Sequence, residues 1–332
     1  MKTMLLQQER TRLSERKMLK TDISRELYGK YYFTLFEFAR DLKNSNVSEI
    51  SIKDGSVVIR TRKEGVLLNC PEGDTTSALG QLILAGTENI EQEMMTVLLR
   101  EILKGKEGNS SKAVFFDIGA NIGWYSLYFD KLFNDLQIFA FEPVPATYEQ
   151  FLKNMVLNQS GSIKVNNFGF ADLNATVDFY VSPSLLAASS LADTYQTPDK
   201  VKVKGEIRRL DDYCQENGIQ PDFIKCDVEG AELLVFKGAK KTLSEARPLV
   251  MTELLRKWSK CFNYHPNDVI GLFKEKNYSC FLIANGRLQP CESVTDATVE
   301  TNFFFLHNEK HKQFLEIDLL KTAGVTDIPP QK

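Results

Sequence analysis

The sequence predicts an α/β protein built on a doubly wound, mostly parallel sheet, and two of its patterns carry that prediction. From residue 113 onward, short apolar runs alternate with longer stretches of helical spacing, the pattern of βαβ crossovers and parallel neighbours. Two of the runs pass directly into turns of unusual chemistry, Asp117-Ile-Gly-Ala-Asn-Ile-Gly123 and Glu142-Pro-Val-Pro145. Open α/β sheets bind ligands at such turns, outside the carboxyl ends of their strands.

Along the chain, residues 1–45 place Leu13, Met18, Leu19, Ile23 and Leu27, then Phe33, Leu35, Phe36 and Phe38, at near-helical spacings, which predicts amphipathic helices. Glu49–Arg62 alternates apolar and polar residues on both sides of Asp54-Gly55, a dipeptide favoured in two-residue hairpin turns. Residues 88–104 return to helical spacing and the Gly/Ser/Lys-rich stretch 105–112 ends that helix. Ala113–Phe116, Gln137–Phe141, Ile163–Phe168, Asp222–Cys226 and Leu249–Thr252 are then predicted strands, most of them separated by helical segments. Tyr278–Ala284 and Thr301–His307 follow a helix around Asp268–Lys276 with no helical pattern between them, so an antiparallel hairpin is expected at one sheet edge. The organisation expected is an N-terminal helical and β-hairpin extension over 1–80, a main domain over 81–312 and a fraying tail over 313–332.

Composition removes several function classes. With 41 Lys+Arg against 44 Asp+Glu the formal net charge is −3, which supplies no basic footprint for nonspecific nucleic-acid binding. The six cysteines stand singly, with no C-x-x-C pair and no zinc spacing, as free thiols in a reducing cytosol would. The first thirty residues carry charges throughout and lack the apolar core of a secretory signal. No stretch approaches the roughly 20 apolar residues of a membrane span. A cytoplasmic protein is the expectation.

The chemistry concentrates at strand ends. In Val114–Ser126 a buried-type strand runs through Gly119, Ala120, Asn121 and Gly123 into a helix, with glycines where a ligand must approach the backbone. A dinucleotide fingerprint would need Gly-x-Gly-x-x-Gly, and here position 121 is Asn. Asp117, two residues before Gly119, would repel a pyrophosphate but suits a cofactor carrying an ammonium group, such as S-adenosylmethionine. Glu142 ends the second strand, where a carboxylate can accept both hydroxyls of a ribose, and Pro143 turns the chain away behind it. Asp227 ends a third strand and is followed by Glu229 and Glu232, which aim at the same crevice or simply favour a helix N-terminus. Glu253 follows the strand Leu249–Thr252, beside Asp227 in a parallel sheet.

These residues resemble the FkbM-type family of S-adenosylmethionine-dependent methyltransferases, in DIGANIGWYS (117–126), FEPVPATYEQFLKN (141–154), LDDYCQENGIQPDFIKCDVEGAELLVFKGA (210–239) and RPLVMTEL (247–254). The resemblance extends to His265-Pro266 and to Asn302–His307. It implies a Rossmann-like seven-strand methyltransferase fold and O-methylation of a sugar, glycan or natural product. It also implies that Asp117, Gly119, Ala120, Asn121 and Gly123 surround the methionine part of the cofactor. Glu142 and Pro143 would then lie at the ribose, Phe168 and Gly169 beside the adenine, and Asp227 in the same pocket.

An acceptor hydroxyl needs either a general base or a divalent ion that lowers its pKa. Asp227, Glu229 and Glu253 are oxygen donors of the kind Mg²⁺ takes, with Asp227 and Glu253 the expected metal pair. The other route uses a base, with His265 added to the candidates because imidazole titrates near neutrality, while Lys225 or Arg256 neutralises one of the acids. Rival functions are a noncatalytic cofactor-binding scaffold, a nicotinamide dehydrogenase, and a methyltransferase of nucleic acid or protein. Substrate choice is expected in loops 182–205 and 255–267, and the N-terminal extension is expected to cover the catalytic mouth or to form a homodimer contact.

Overall fold

All six residues from Ala113 to Ile118 are buried, and the strand begins with the apolar run Ala113–Phe116 because both its faces are covered. The computed structural model describes residues 11–319 except 13, 16–18, 24, 26, 27, 72–88, 109, 110, 183, 184, 197 and 198. Expectations for Leu13, Met18 and Leu27, for the domain boundary near residue 80 and for the chain beyond 319 lie outside the described residues.

Helix α1 (Gly29–Leu42) precedes a small antiparallel sheet of β1 (Val47–Lys53), β2 (Ser56–Thr61) and β3 (Leu67–Cys70). The hairpin turn sits where Asp54 and Gly55 both adopt positive φ, 51° and 78°, the conformation a two-residue turn needs to match strand twist. Next come α2 (Asn89–Lys104), β4 (Ala113–Ile118), α3 (Trp124–Leu132), β5 (Leu136–Phe141), α4 (Pro145–Asn158) and β6 (Lys164–Asn166). After a second sheet of β7 (Gly169–Phe170), β8 (Ala175–Ser182), β9 (Leu185–Ser190) and β10 (Val201–Arg208), the chain continues as α5 (Leu210–Asn217), β11 (Phe223–Cys226), α6 (Glu232–Lys237) and α7 (Lys240–Glu245). It closes with β12 (Leu249–Glu253), α8 (Arg256–Ser259), α9 (Pro266–Lys274), β13 (Tyr278–Ala284), β14 (Arg287–Pro290) and β15 (Asn302–His307).

The main sheet has the order β14-β13-β15-β12-β11-β4-β5-β6. Its run from β6 to β12 is parallel, and β15 lies antiparallel between β12 and β13. This is the doubly wound, Rossmann-like sheet that the sequence predicts. The edge differs from expectation: β13 and β15 are antiparallel neighbours, but β14 caps the sheet as an eighth strand. Asn285 and Gly286, with φ of 51° and 72°, fold β14 back onto β13 through a tight turn. Within the segment 182–205, expected as loop, Leu185–Ser190 and the start of β10 from Val201 are strand.

Side chains alternate between the faces of β4. Ala113 and Phe115 enter an apolar cluster with Met94, Leu98, Leu127 and Phe129 of α2 and α3, whereas Val114, Phe116 and Ile118 pack with Leu210, Phe236 and Phe273 of α5, α6 and α9. The small sheet joins the first cluster through Val47, Ile59 and Leu68. It is also bonded to α4: Asn158 Oδ1 and Asn154 Oδ1 accept from the Leu67 and Asn69 amides at 2.8 Å, and the Gln150 amide donates to the Asn69 carbonyl at 2.9 Å. Helix α1 buries none of its residues and exposes Tyr32, Phe33, Leu35 and Phe36. Among the described residues no helix is long and apolar enough to cross a membrane.

Candidate active site

Register brings four strand ends level. Ile118 pairs with both Phe141 and Cys226, and Cys226 pairs with Thr252, so the next residues, Gly119, Glu142, Asp227 and Glu253, form a row along the carboxyl edge of the sheet. The turn after β4 is held to this edge by two backbone bonds, from Gly119 and Ala120 amides to the Phe141 carbonyl at 3.1 and 3.0 Å. Gly119 has φ 73°, and a Cβ there would lie 1.8 Å from the Asp227 carbonyl oxygen. Gly123, with φ 89°, starts α3 so close to Phe151 that a Cβ would lie 2.1 Å from its ring. Asn121 takes the left-handed conformation, φ 50°, and its Oδ1 accepts from the Ile122 amide at 2.7 Å.

Glu142 is buried, and each carboxylate oxygen accepts one backbone amide, from Asn121 and Val144, both at 3.0 Å. Burial pushes its pKa up to about 7, with these two bonds pulling the other way. Pro143 packs under Gly169, where a Cβ would meet the proline ring at 3.2 Å. Phe168 is buried among Phe141, Phe170 and Tyr213, with the Arg208 guanidinium 4.3 Å above its ring.

Asp117 is fully enclosed, beneath the turn rather than open to the crevice. Its Oδ2 accepts from the Ser126 hydroxyl at 2.7 Å, and its Oδ1 lies 3.6 Å from the Lys225 ammonium. Burial holds this carboxyl above its ordinary range, while Lys225 and Ser126 pull it down. Lys225 also reaches Asp227 Oδ2 at 3.5 Å and donates to the Gly119 carbonyl at 3.1 Å. Asp227 Oδ1 is buried and has no hydrogen-bond partner.

Glu229 stands in a strained left-handed conformation, φ 57°, and accepts from the Tyr195 hydroxyl at 3.0 Å. Burial and then the Asp227 charge push its pKa up to about 9. Glu232 is committed to the loop itself, accepting from the Val228 and Gly230 amides and the Tyr264 hydroxyl at 3.2, 3.1 and 3.0 Å. Glu253 is half-buried at the end of β12, and its charge helps raise the Tyr195 hydroxyl. His265 is exposed and caps α9: its Nδ1 accepts from the Asn267 amide at 3.2 Å, and Asp268 Oδ2 accepts from the His265 amide at 2.8 Å. Arg256 pairs with Asp296. Among the described residues no group of three or more His, Cys, Asp or Glu is arranged to hold a metal ion.

Residues 117–280 match the methyltransferase FkbM domain. Methyltransferase sdnD of Sordaria araneosa is 31% identical over 177 residues, 45% of this chain and 67% of that protein. The chain belongs to the FkbM methyltransferase family. Two further relatives are 2-O-methyltransferase NoeI of Sinorhizobium fredii, 32% identical over 40% of this chain and 60% of its own, and hexuronic acid methyltransferase AglP of Haloferax volcanii, 26% identical over 57% and 70%. A crystal structure of a methyltransferase FkbM from Methylobacillus flagellatus KT is 20% identical, covering 58% of this chain and 43% of that chain with a TM-score of 0.37. The chain thus spans less than two thirds of NoeI and of the Methylobacillus protein.

The cofactor implied for an FkbM methyltransferase, S-adenosylmethionine, fits the donor set at this sheet edge. Each Glu142 oxygen has accepted a single N–H and keeps a second lone pair for a ribose hydroxyl. The buried Asp227 Oδ1 is an acceptor waiting for a donor, and the surrounding acids suit an ammonium and a sulfonium. The structure gathers Asp117, Gly119, Ala120, Asn121, Glu142, Asp227 and Glu229 at this edge, with Glu253 beside them. His265 stands apart from that row, engaged at the start of α9. Sequence reasoning treated Lys225 only as a neutralising charge and passed over Tyr195. The signal for the first was present, a lysine inside the otherwise apolar run Phe223-Ile-Lys-Cys226.

Proposed function

We propose that this chain is an S-adenosylmethionine-dependent O-methyltransferase whose acceptor is a hydroxyl of a sugar, glycan or natural product. The observation that carries the proposal is the level row of Gly119, Glu142 and Asp227 at the switch from strand to turn, with an unpartnered buried acceptor in it. The names of NoeI and AglP support a carbohydrate hydroxyl, and the near-neutral composition supports a small acceptor over nucleic acid. All six cysteines are free, which supports action in a reducing cytosol.

When bound, the cofactor supplies a methyl carbon already activated by its sulfonium. Glu142 orients the ribose, and the glycine turn admits the methionine part against backbone. Asp227 takes the acceptor proton. Glu229, held protonated at neutral pH and fixed in place by the Tyr195 hydroxyl that donates to it, orients the acceptor oxygen by donating a hydrogen bond. Lys225 already places a positive charge at Asp227, so the base-only route is favoured over a Mg²⁺ bridge between Asp227 and Glu253.

Calorimetry with S-adenosylhomocysteine and transfer of a labelled methyl group to a panel of sugars and glycans test the assignment. Binding followed by base-stable label on a hydroxyl is expected. A protein that binds no S-adenosylhomocysteine, or that labels amines or nucleic acid instead, refutes it. Full turnover after exhaustive EDTA treatment is expected, and loss restored by Mg²⁺ would reinstate the metal route.

A further inference from the structure

Resting on the cofactor assignment above, we propose that Lys225 is a positioning residue for the methionine end of the cofactor: its ammonium ties the glycine turn, Asp117 and Asp227 into one unit. The side chain is 5% exposed and comes from the middle of β11, in register with Asp117 on β4. From there Nζ meets three oxygens, the Gly119 carbonyl at 3.1 Å, Asp227 Oδ2 at 3.5 Å and Asp117 Oδ1 at 3.6 Å, and lies 5.3 Å over the Tyr125 ring. A lysine in a strand buried at every position is tolerated only where charges and acceptors replace its water.

What this unit controls follows from which atoms it touches. The Gly119 carbonyl belongs to the turn that faces the ligand, so its position sets where the neighbouring amides point. Asp227 is bonded on one oxygen side by Lys225 and is left with Oδ1 lacking a donor. Lys225 stands between the two acids and leaves Asp227 Oδ1 as an acceptor for a hydrogen-bond-donating, positively charged group of a ligand. Lys225 touches neither ligand nor acceptor. It acts through Gly119 and Asp227, the groups its ammonium touches.

The test compares S-adenosylhomocysteine with 5′-methylthioadenosine, which shares the adenosine and thioether but lacks the amino-acid part. Lys225→Met keeps chain length and apolar contacts while removing the charge. The expected result is a folded protein whose affinity for S-adenosylhomocysteine falls about tenfold or more while 5′-methylthioadenosine changes less than about threefold, with Lys225→Arg recovering most of the difference. Unchanged affinity for both ligands, or equal weakening of both, overturns the proposal, because a lysine that only fills space would act on both alike. If Lys225→Met does not fold, the double variant Lys225→Met/Asp117→Asn, which removes the charges together, is measured in its place. Selective loss in it supports the proposal, and wild-type selectivity overturns it. Wild-type protein that binds neither ligand instead refutes the cofactor assignment itself.

Discussion

Replacing Glu142 by alanine should weaken S-adenosylhomocysteine by about 1.5–3 kcal/mol, roughly ten- to a hundredfold, because two charge-assisted bonds to a ribose diol are lost. The structure adds a pH signature. With its pKa near 7, Glu142 is about one-tenth ionised at pH 6 and about nine-tenths at pH 8. The ionised form is the better acceptor for two hydroxyls, so wild-type affinity should rise about tenfold between those pH values. The alanine variant should lack that rise. It should also fold: two backbone amides lose their partner, at about 1–3 kcal/mol each, but an acid whose pKa climbs from 4.5 to about 7 on folding destabilises the native state above pH 7 by about 3 kcal/mol, and that penalty disappears with it. Calorimetry at pH 6, 7 and 8, with circular dichroism to verify folding, decides the matter. A folded variant with wild-type affinity, or one that retains the pH-dependent rise, would refute the ribose role.

Gly119→Ala should abolish ligand binding and destabilise by more than about 3 kcal/mol, since a Cβ would meet the Asp227 carbonyl at 1.8 Å in a left-handed backbone; an alanine variant with a wild-type melting curve would contradict the geometry. His265→Ala should cost about 0.5–2 kcal/mol of stability through loss of the α9 cap while leaving the pH profile of turnover unmoved; a profile that loses its basic-side activation would restore His265 as the base. His311 is buried, and burial carries its pKa from 6.5 down to about 3, so the unfolded chain binds a proton there that the folded chain rejects. Its contribution to stability is intact well above pH 6.5 and falls by about 2 kcal/mol on acidification to pH 5. Urea midpoints of wild type and His311→Gln should therefore diverge in slope over that window, and parallel slopes would show that His311 titrates normally in the fold.

The parallel half of the sheet was legible in the sequence because strands buried on both faces carry apolar runs, as Ala113–Phe116 and Ile138–Phe141 do. Glycine and acid positions were equally legible, since Gly119 and Glu142 act through backbone conformation and strand-end placement, which are local properties. The second sheet was not. Its strand Val201–Arg208 presents Lys202, Lys204 and Glu206 on one side and contains Gly205, so the pattern resembles loop composition. Asn285-Gly286 carried a hairpin signal as plain as that of Asp54-Gly55 but was hidden by the short strand after it. Lys225, Tyr195 and Tyr264 could not be placed from spacing. Their partners lie 106, 34 and 32 residues away, and only the folded chain brings them together.

The position of β15 has a consequence for how the chain is made. It follows the other described strands of this sheet along the chain, yet it lies inside the sheet, bonded to β12 on one side and β13 on the other. Until residue 307 has emerged, β12 ends the parallel half as an open edge and the β13–β14 hairpin has nothing to dock on. Sheet completion therefore waits for this segment and depends on contacts between residues about fifty apart along the chain. A fragment cut where the family match ends, at residue 280, would keep every turn at the ligand edge but leave Val250 and Thr252 without their antiparallel partners. Such a fragment presents a flat apolar rim to its own copies, and insolubility on expression would reflect that missing strand rather than any defect in the site.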